Sequence, residues 1–282
     1  MITKKRISEK ISCRDKFRVG KNYYTTLRGY QVRRDILDAM FNAIKMEYLP
    51  TDKKLLILDA GSGPGIVGDY VFKKIKKQHH ITPLIIFADI SEAMLKAVPQ
   101  DFNYIAVKND VTKLEFPDNF FNIVVMKQVL DYLPKNLQLR ALNEIYRVLK
   151  TDGQFILSAL ISVDDKSNHL TNELYNKREK IIAKDIAIKK YIPTKNILID
   201  WLAHTDFKGI KVQHVYDIPV SPLDFQQSFG LNKRQTLRLN KLYQKIIRKD
   251  KKNTFRSNIF KSKKFKGYIE LIEKGMIVKF SK

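Results

Sequence analysis

The sequence predicts an α/β fold, a doubly wound three-layer sandwich on a mostly parallel seven-stranded sheet with an antiparallel last strand. Three observations carry that expectation. Short apolar runs recur at 54–58, 84–88, 104–107, 121–126 and 154–160, the form of parallel strands buried on both faces. Segments with helical periodicity separate them, and right-handed crossovers leave few other arrangements for such an alternation. Turn residues stand at the strand ends, most densely in Asp59-Ala-Gly61-Ser-Gly63-Pro-Gly65.

Taken in order, residues 23–49 place Ile36, Leu37, Met40, Phe41 and Ile44 at helical spacing with no proline before Pro50, so a helix leads into the core. Strand one ends at Asp59, and a helix follows over about 66–77. Strand two closes on Asp89, after which Ser91 can cap a short helix over 92–98. Strands three and four precede an amphipathic helix at 137–149 that carries Leu139, Leu142, Ile145, Tyr146 and Leu149 on one side. Asp152-Gly153 ends it before strand five. A polar, partly helical segment then covers 162–190, a helix 194–204, a strand 209–218, and the last strand falls within 268–280. Residues 1–50 are therefore expected to be an N-terminal helical cap, and 51–282 one domain with insertions at about 162–190 and 222–265.

Composition excludes several classes. A chain of 282 residues with 44% hydrophobic content can bury a large core. Its single cysteine, Cys13, permits no internal disulfide and no cysteine-based zinc cluster, and no metal is implied, which fits a reducing cytoplasm. The basic start lacks the apolar run of a secretory signal, and no stretch approaches the ~20 apolar residues of a membrane span, so a soluble cytoplasmic protein is expected. The formal charge of +24 points toward a polyanionic or acidic partner, RNA or a carrier protein. Lys, Ile and Asn are also abundant enough for an AT-rich genome to explain part of it. The excess is local, with 14 Lys or Arg against the single Asp250 between Leu231 and Lys266.

Five segments stand in order: the Asp59 to Gly65 turn, Ala88-Asp89-Ile90-Ser91-Glu-Ala-Met94-Leu95, Asn109-Asp110-Val111 with Leu114 to Phe121, Val129-Leu130-Asp-Tyr-Leu133-Pro134, and Glu144 to Gly153. Together they resemble the class I S-adenosylmethionine-dependent methyltransferases. The resemblance spans about residues 55–160 and implies S-adenosyl-L-methionine as cofactor. It assigns Asp59, Gly61, Ser62, Gly63 and Gly65 to the methionine side, Asp89 to the ribose hydroxyls with Ile90 and Met94 nearby, and Asp110 and Val111 to adenine. A dinucleotide site is the rival, since Gly63-Pro-Gly65-Ile-Val-Gly68 matches G-x-G-x-x-G. That match starts four residues after Asp59, where the strand has already ended, and Asp110 with the 114–121 segment fits the methyltransferase pattern instead. Asn122 stands where many relatives carry an aspartate that supports the strand.

Lys127 and Gln128 follow strand four at the edge where open α/β sheets bind ligands. Lys127 is assigned to the cofactor and Gln128 to the acceptor. Tyr23, Tyr24 and Tyr30 are candidate acceptor or cofactor-covering residues, with helix packing an equal alternative. A sulfonium methyl needs alignment more than a base, so a general base is optional, and His169 is the candidate if one exists, with His204 and His214 behind it. The expected reaction is methyl transfer to an O, N or C nucleophile of a small-molecule or carrier-bound metabolite. The alternatives are an RNA methyltransferase using the basic 231–266 region, or an inactive cofactor-binding partner subunit. No Asn-Pro-Pro-Tyr-type motif follows strand four, which argues against adenine or glutamine amino methylation, and the lone Cys13 argues against attack on pyrimidine carbon five.

Overall fold

The structure is a computed structural model that describes residues 27–49, 54–166, 168–182, 189–252 and 262–282. In chain order its elements are α1 (Leu27–Ala43), β1 (Leu56–Ala60), α2 (Ile66–His79), β2 (Leu84–Asp89), α3 (Glu92–Leu95), β3 (Tyr104–Lys108) and β4 (Phe121–Lys127). They continue with α4 (Lys135–Val148), β5 (Leu149–Ile161), α5 (Asn168–Ile182), α6 (Lys195–Ala203), β6 (Lys208–Val220), α7 (Pro222–Phe229), α8 (Lys233–Lys252), β7 (Ser262–Phe265) and β8 (Tyr268–Ser281). The sheet order is β3-β2-β1-β4-β5-β8-β6. The first five strands run parallel, and β8 is antiparallel to both β5 and β6.

Side chains alternate along each strand and so create the layers. Ile57, Ile85, Phe87, Ile123, Val125, Ile156 and Ile277 face α1 and α2, where Met40, Phe41, Val71 and Ile75 are buried. Leu58, Ala60, Ala88, Val124, Met126, Leu157 and Val278 face the other way, onto Leu142 and Ile145 of α4 and Leu198 and Leu202 of α6. Gln154 fastens the chain after α1 to β5: its Oε1 accepts from the Lys45 N–H at 2.9 Å and its Nε2 donates to the Lys45 carbonyl at 2.8 Å. Asn122 Oδ1 accepts from the Leu56 N–H at 3.0 Å, so the amide at this position joins β4 to the start of β1.

Two features depart from the expected course. β5 begins at Leu149 directly after α4 ends at Val148, because the Lys150 to Gly153 stretch extends the strand, with Asp152 at φ 62. An eighth, short strand, β7, lies inside the segment expected to be a helix-rich insertion. It pairs with β8 through Ser262↔Leu271 to Phe265↔Tyr268, beyond the point where β5 stops at Ile161↔Lys274. Its sequence, Ser-Lys-Lys-Phe, has no apolar alternation, and the pairing is set by the turn at Lys266-Gly267, where both φ values are positive.

α5, α7 and α8 form a cap over the ends of β5 and β8. Leu170, Leu174, Tyr175, Leu239, Leu242, Tyr243 and Ile246 bury against Leu160 and Leu271. Leu160 lies at the carboxyl end of β5 and Leu271 at the start of antiparallel β8, so the cap sits on the carboxyl edge of the parallel strands.

Candidate active site

The carboxyl ends of β1, β2, β3 and β4 bring the cofactor candidates together. After β1 the chain turns through Gly61 (φ 69), Gly63 (φ 53) and Gly65 (φ 81), and the last of these is the N-cap of α2. Two of the glycines work differently. A Cβ on Gly61 would lie 2.4 Å from Val129 Cγ2, so this residue lets the segment after β4 close on the turn. A Cβ on Gly63 would meet nothing within 4 Å, so its backbone borders open space. The Gly61 and Ser62 N–H groups both donate to the Ala88 carbonyl, at 2.7 and 3.0 Å, which pins the turn to β2.

The acids secure this arrangement. Asp59 is buried, and its Oδ2 accepts from the Gly68 N–H at 2.8 Å, which holds the first turn of α2 against β1. Its Oδ1 makes no hydrogen bond among the described residues. Burial pushes the Asp59 carboxyl up to about 7, opposed by the Gly68 N–H, raised further by Asp89 and lowered by Lys127. Asp89 Oδ2 accepts from the Gly63 N–H at 2.8 Å and Oδ1 from the Ser91 N–H at 2.9 Å. Ile90 and Met94 are half-buried beside it, and Ser91 caps α3 by accepting from the Met94 N–H.

Asp110 Oδ1 accepts from the N–H and Oγ1 of Thr112, both at 2.8 Å, while Val111 is buried next to it. The Asn109 N–H donates to the Asp89 carbonyl at 2.9 Å and so ties this loop to the end of β2. Lys127 and Gln128 are half-buried at the end of β4, Lys127 Nζ 3.4 Å from Gln128 Oε1, with Gln128 at φ 54. Gly68 does not serve a dinucleotide turn. It lies inside α2, where a Cβ would stand 2.5 Å from Phe87 Cε1, so it permits close helix-to-strand packing.

The acceptor candidates are less gathered. Tyr23 and Tyr24 lie outside the described residues, as does the side chain of Tyr30, which falls within α1. His169 is exposed on α5 with Nδ1 3.2 Å from the Lys166 carbonyl. His204 is exposed with Nδ1 2.7 Å from the Asp200 carbonyl, and His214 stacks on Tyr216 from the exposed side.

Sequence reasoning missed a buried polar group where the cap meets the segment after β4. Lys190 Nζ lies 3.0 Å from Glu179 Oε1, 4.0 Å from Asp131 Oδ2 and 3.6 Å from the Tyr132 ring centroid. Gln138 Nε2 reaches the carbonyls of Leu130, Leu133 and Tyr191 at 2.9, 3.1 and 2.7 Å. The Val129 to Pro134 motif marks one side of this junction, while Glu179 and Lys190 come from a polar segment with no local signal for burial. Among the described residues no group of three or more His, Cys, Asp or Glu could hold a metal ion, and no helix is long and apolar enough to cross a membrane.

Residues 58–157 match the family described as a methyltransferase domain. That stretch, about a third of the chain, is similar to a methyltransferase domain. The matched stretch runs from β1 through most of β5 and contains every cofactor candidate named above. A curated relative, an uncharacterized protein of Methanocaldococcus jannaschii, is 32% identical over 139 residues, covering 49% of this chain and 53% of that one. The match thus spans about half the length of each. In fold the chain resembles the YcgJ protein of Bacillus subtilis (TM-score 0.67, 14% identity, 88% of this chain and 98% of that one). It also resembles phosphoethanolamine N-methyltransferase 2 of Haemonchus contortus, solved with phosphomonomethylethanolamine and S-adenosylhomocysteine (TM-score 0.51, 15% identity, 86% and 52%). The [4+2]-cyclase SpnF shares the fold too (TM-score 0.59, 14% identity, 99% and 97%), so the fold alone does not name the reaction.

Proposed function

We propose that this chain transfers the methyl group of S-adenosylmethionine to a nucleophile held beneath the cap, with the cofactor lying across the carboxyl ends of β1, β2 and β3. The observation that carries this reading is the cradle itself. Gly63 borders open space, Asp59 Oδ1 makes no hydrogen bond among the described residues, and the Asp89 carboxylate holds the Gly63 N–H from the end of β2. In this reading the turn from Gly61 to Gly65 and Asp59 hold the methionine end, Asp89 the ribose, and Asp110 Oδ2 with Val111 the adenine. Lys127 lies close enough to lower the Asp59 carboxyl and so balances charge where the methionine end would rest.

When bound, S-adenosylmethionine supplies an electrophilic methyl on a sulfonium, and the C–S bonding pair returns to sulfur as the acceptor lone pair attacks in line. The protein's task is alignment and exclusion of water. The Lys190, Asp131 and Tyr132 junction holds the segment after β4 under the cap, and Val129 packs on Gly61 between that segment and the turn. The histidines are exposed, so none of them is assigned as a base.

Titration calorimetry with S-adenosylmethionine tests the reading. Wild type should bind, and Asp89→Ala should lower affinity about 100-fold or more, from two hydroxyl bonds to a charged group at about 1.5–3 kcal/mol each. Circular dichroism checks that the variant stays folded. A wild type that does not bind overturns the reading, and binding without transfer of labelled methyl into any extract component favours a cofactor-binding subunit.

A further inference from the structure

We propose that the outer face of α8 tracks the phosphates of a folded RNA and docks it on the cap, beside the cofactor edge. This deepens the methyl-transfer reading by naming RNA as its acceptor class, and it rests on that reading only for the acceptor role. Arg234, Arg238, Lys241, Lys245 and Arg248 are spaced by four, three, four and three residues. At about 100° per residue they fall within an arc of about 80°, and over about 21 Å of helix they form one straight row. All five are exposed, and none is ion-paired among the described residues. Lys249, just outside the row, is satisfied by Glu173 at 2.8 Å. Asp250, the helix's one acid, is buried, so nothing on this face offsets the row.

The row opposes helix stability, because like charges at these spacings repel and no packing compensates them. The opposite face, Leu239, Leu242, Tyr243 and Ile246, fills the cap core. Asn240 Oδ1 accepts from the Ile269 N–H at 2.8 Å, which brings the β7–β8 hairpin, with exposed Lys264 and Lys266, against the same helix.

Chemistry selects the occupant. A membrane-surface helix needs its apolar face free, and here that face is buried. An acidic protein interface needs an apolar or aromatic centre, and the row offers only Leu237 at its margin. Single-stranded binding needs exposed aromatic platforms, and the row has none. What remains is a duplex backbone contacted through its phosphates without base reading. Folded RNA presents unpaired nucleotides next to its helices, so one can reach the cofactor edge without the extrusion that duplex DNA requires.

Fluorescence anisotropy of the full chain with a labelled RNA hairpin tests this. Five phosphates neutralised give a slope of about −4 to −5 in log K against log salt, so binding should weaken about 500-fold between about 50 and 200 mM salt. The triple variant R238Q/K241Q/K245Q should lower the slope by about 3, and K73Q/K76Q/K77Q, which removes as many exposed cations from α2, should leave it unchanged. The proposal is overturned if the hairpin does not bind at low salt or if both triple variants behave alike. It is equally overturned if duplex DNA, poly-L-glutamate or phosphatidylserine vesicles compete as well as unlabelled hairpin. Because only binding is read, failure here leaves the cofactor calorimetry untouched, and the converse holds.

Discussion

The sheet half and the cap solve burial in opposite ways. From β1 to β5 the core is almost wholly aliphatic and aromatic, and its buried acids are Asp59 near the end of β1 and Asp131 in the turn after β4. The cap instead buries charge. Arg178 and Glu273 form a buried ion pair, Tyr175 donates to Glu273 Oε2 at 2.7 Å, and the Arg178 guanidinium lies 4.2 Å from the Tyr175 ring and 4.7 Å from that of Phe225. Burial and the neighbouring Glu273 raise the Tyr175 hydroxyl, while Glu273 holds Arg178 charged against its desolvation. An aliphatic sheet tolerates many sequences of similar volume, whereas a buried ion pair accepts one geometry. The cap is thus fixed in orientation by charge, and the sheet by shape.

The largest expected effect comes from breaking the cap's side of this contrast. Arg178→Met leaves Glu273 buried and unpaired and should cost about 3–5 kcal/mol by urea unfolding, with much of it restored in Arg178→Met/Glu273→Leu. A double variant as weak as the single would remove the ion pair as the cause. Next is Asp59→Asn. The folded protein keeps a proton on Asp59 up to about pH 7, while the unfolded chain releases it near its ordinary 3.8. The contribution of Asp59 to the stability of the ligand-free protein should therefore be fullest below that lower value and fall as pH rises to about 7, by on the order of a few kcal/mol. Asp59→Asn should remove this dependence and melt higher than wild type at pH 8, and parallel melting profiles from pH 4 to 8 would refute it.

Smaller effects separate turn from ligand. Gly61→Ala meets Val129 and strains a positive φ, so it should destabilise by about 1–3 kcal/mol. Gly63→Ala strains φ alone, about 1–2 kcal/mol, but fills the open space, so it should weaken S-adenosylmethionine binding more than its modest stability loss explains. Equal affinity loss in both would make the turn merely structural. The smallest effect lies on α8. R238Q/K241Q/K245Q relieves the Lys241–Lys245 and Arg238–Lys241 repulsions and should raise stability by a few tenths of a kcal/mol, read by melting at low salt.

The same division governs what the sequence reveals. Strands such as Leu84 to Ala88 are legible because burial on both faces leaves continuous apolar runs, and Asp59, Asp89 and Asp110 because each terminates a recognisable strand. The dual duty of Asp89, which closes the glycine turn through Gly63, is not legible, since it depends on a hydrogen bond 26 residues apart in sequence. Lys190 reads as one of many surface lysines, and its partner Asp131 is distant in sequence and brought close by the cap alone. β7 is invisible because β8 imposes its pairing from outside.

The position of β8 has a consequence for how this protein is made. The strand lies between β5 and β6, yet it is synthesised 107 residues after β5 ends. At about 5–20 residues per second the ribosome leaves the β5 edge open for about 5–20 s, a template for pairing with another nascent chain. Chaperone demand during translation should therefore concentrate on this interval.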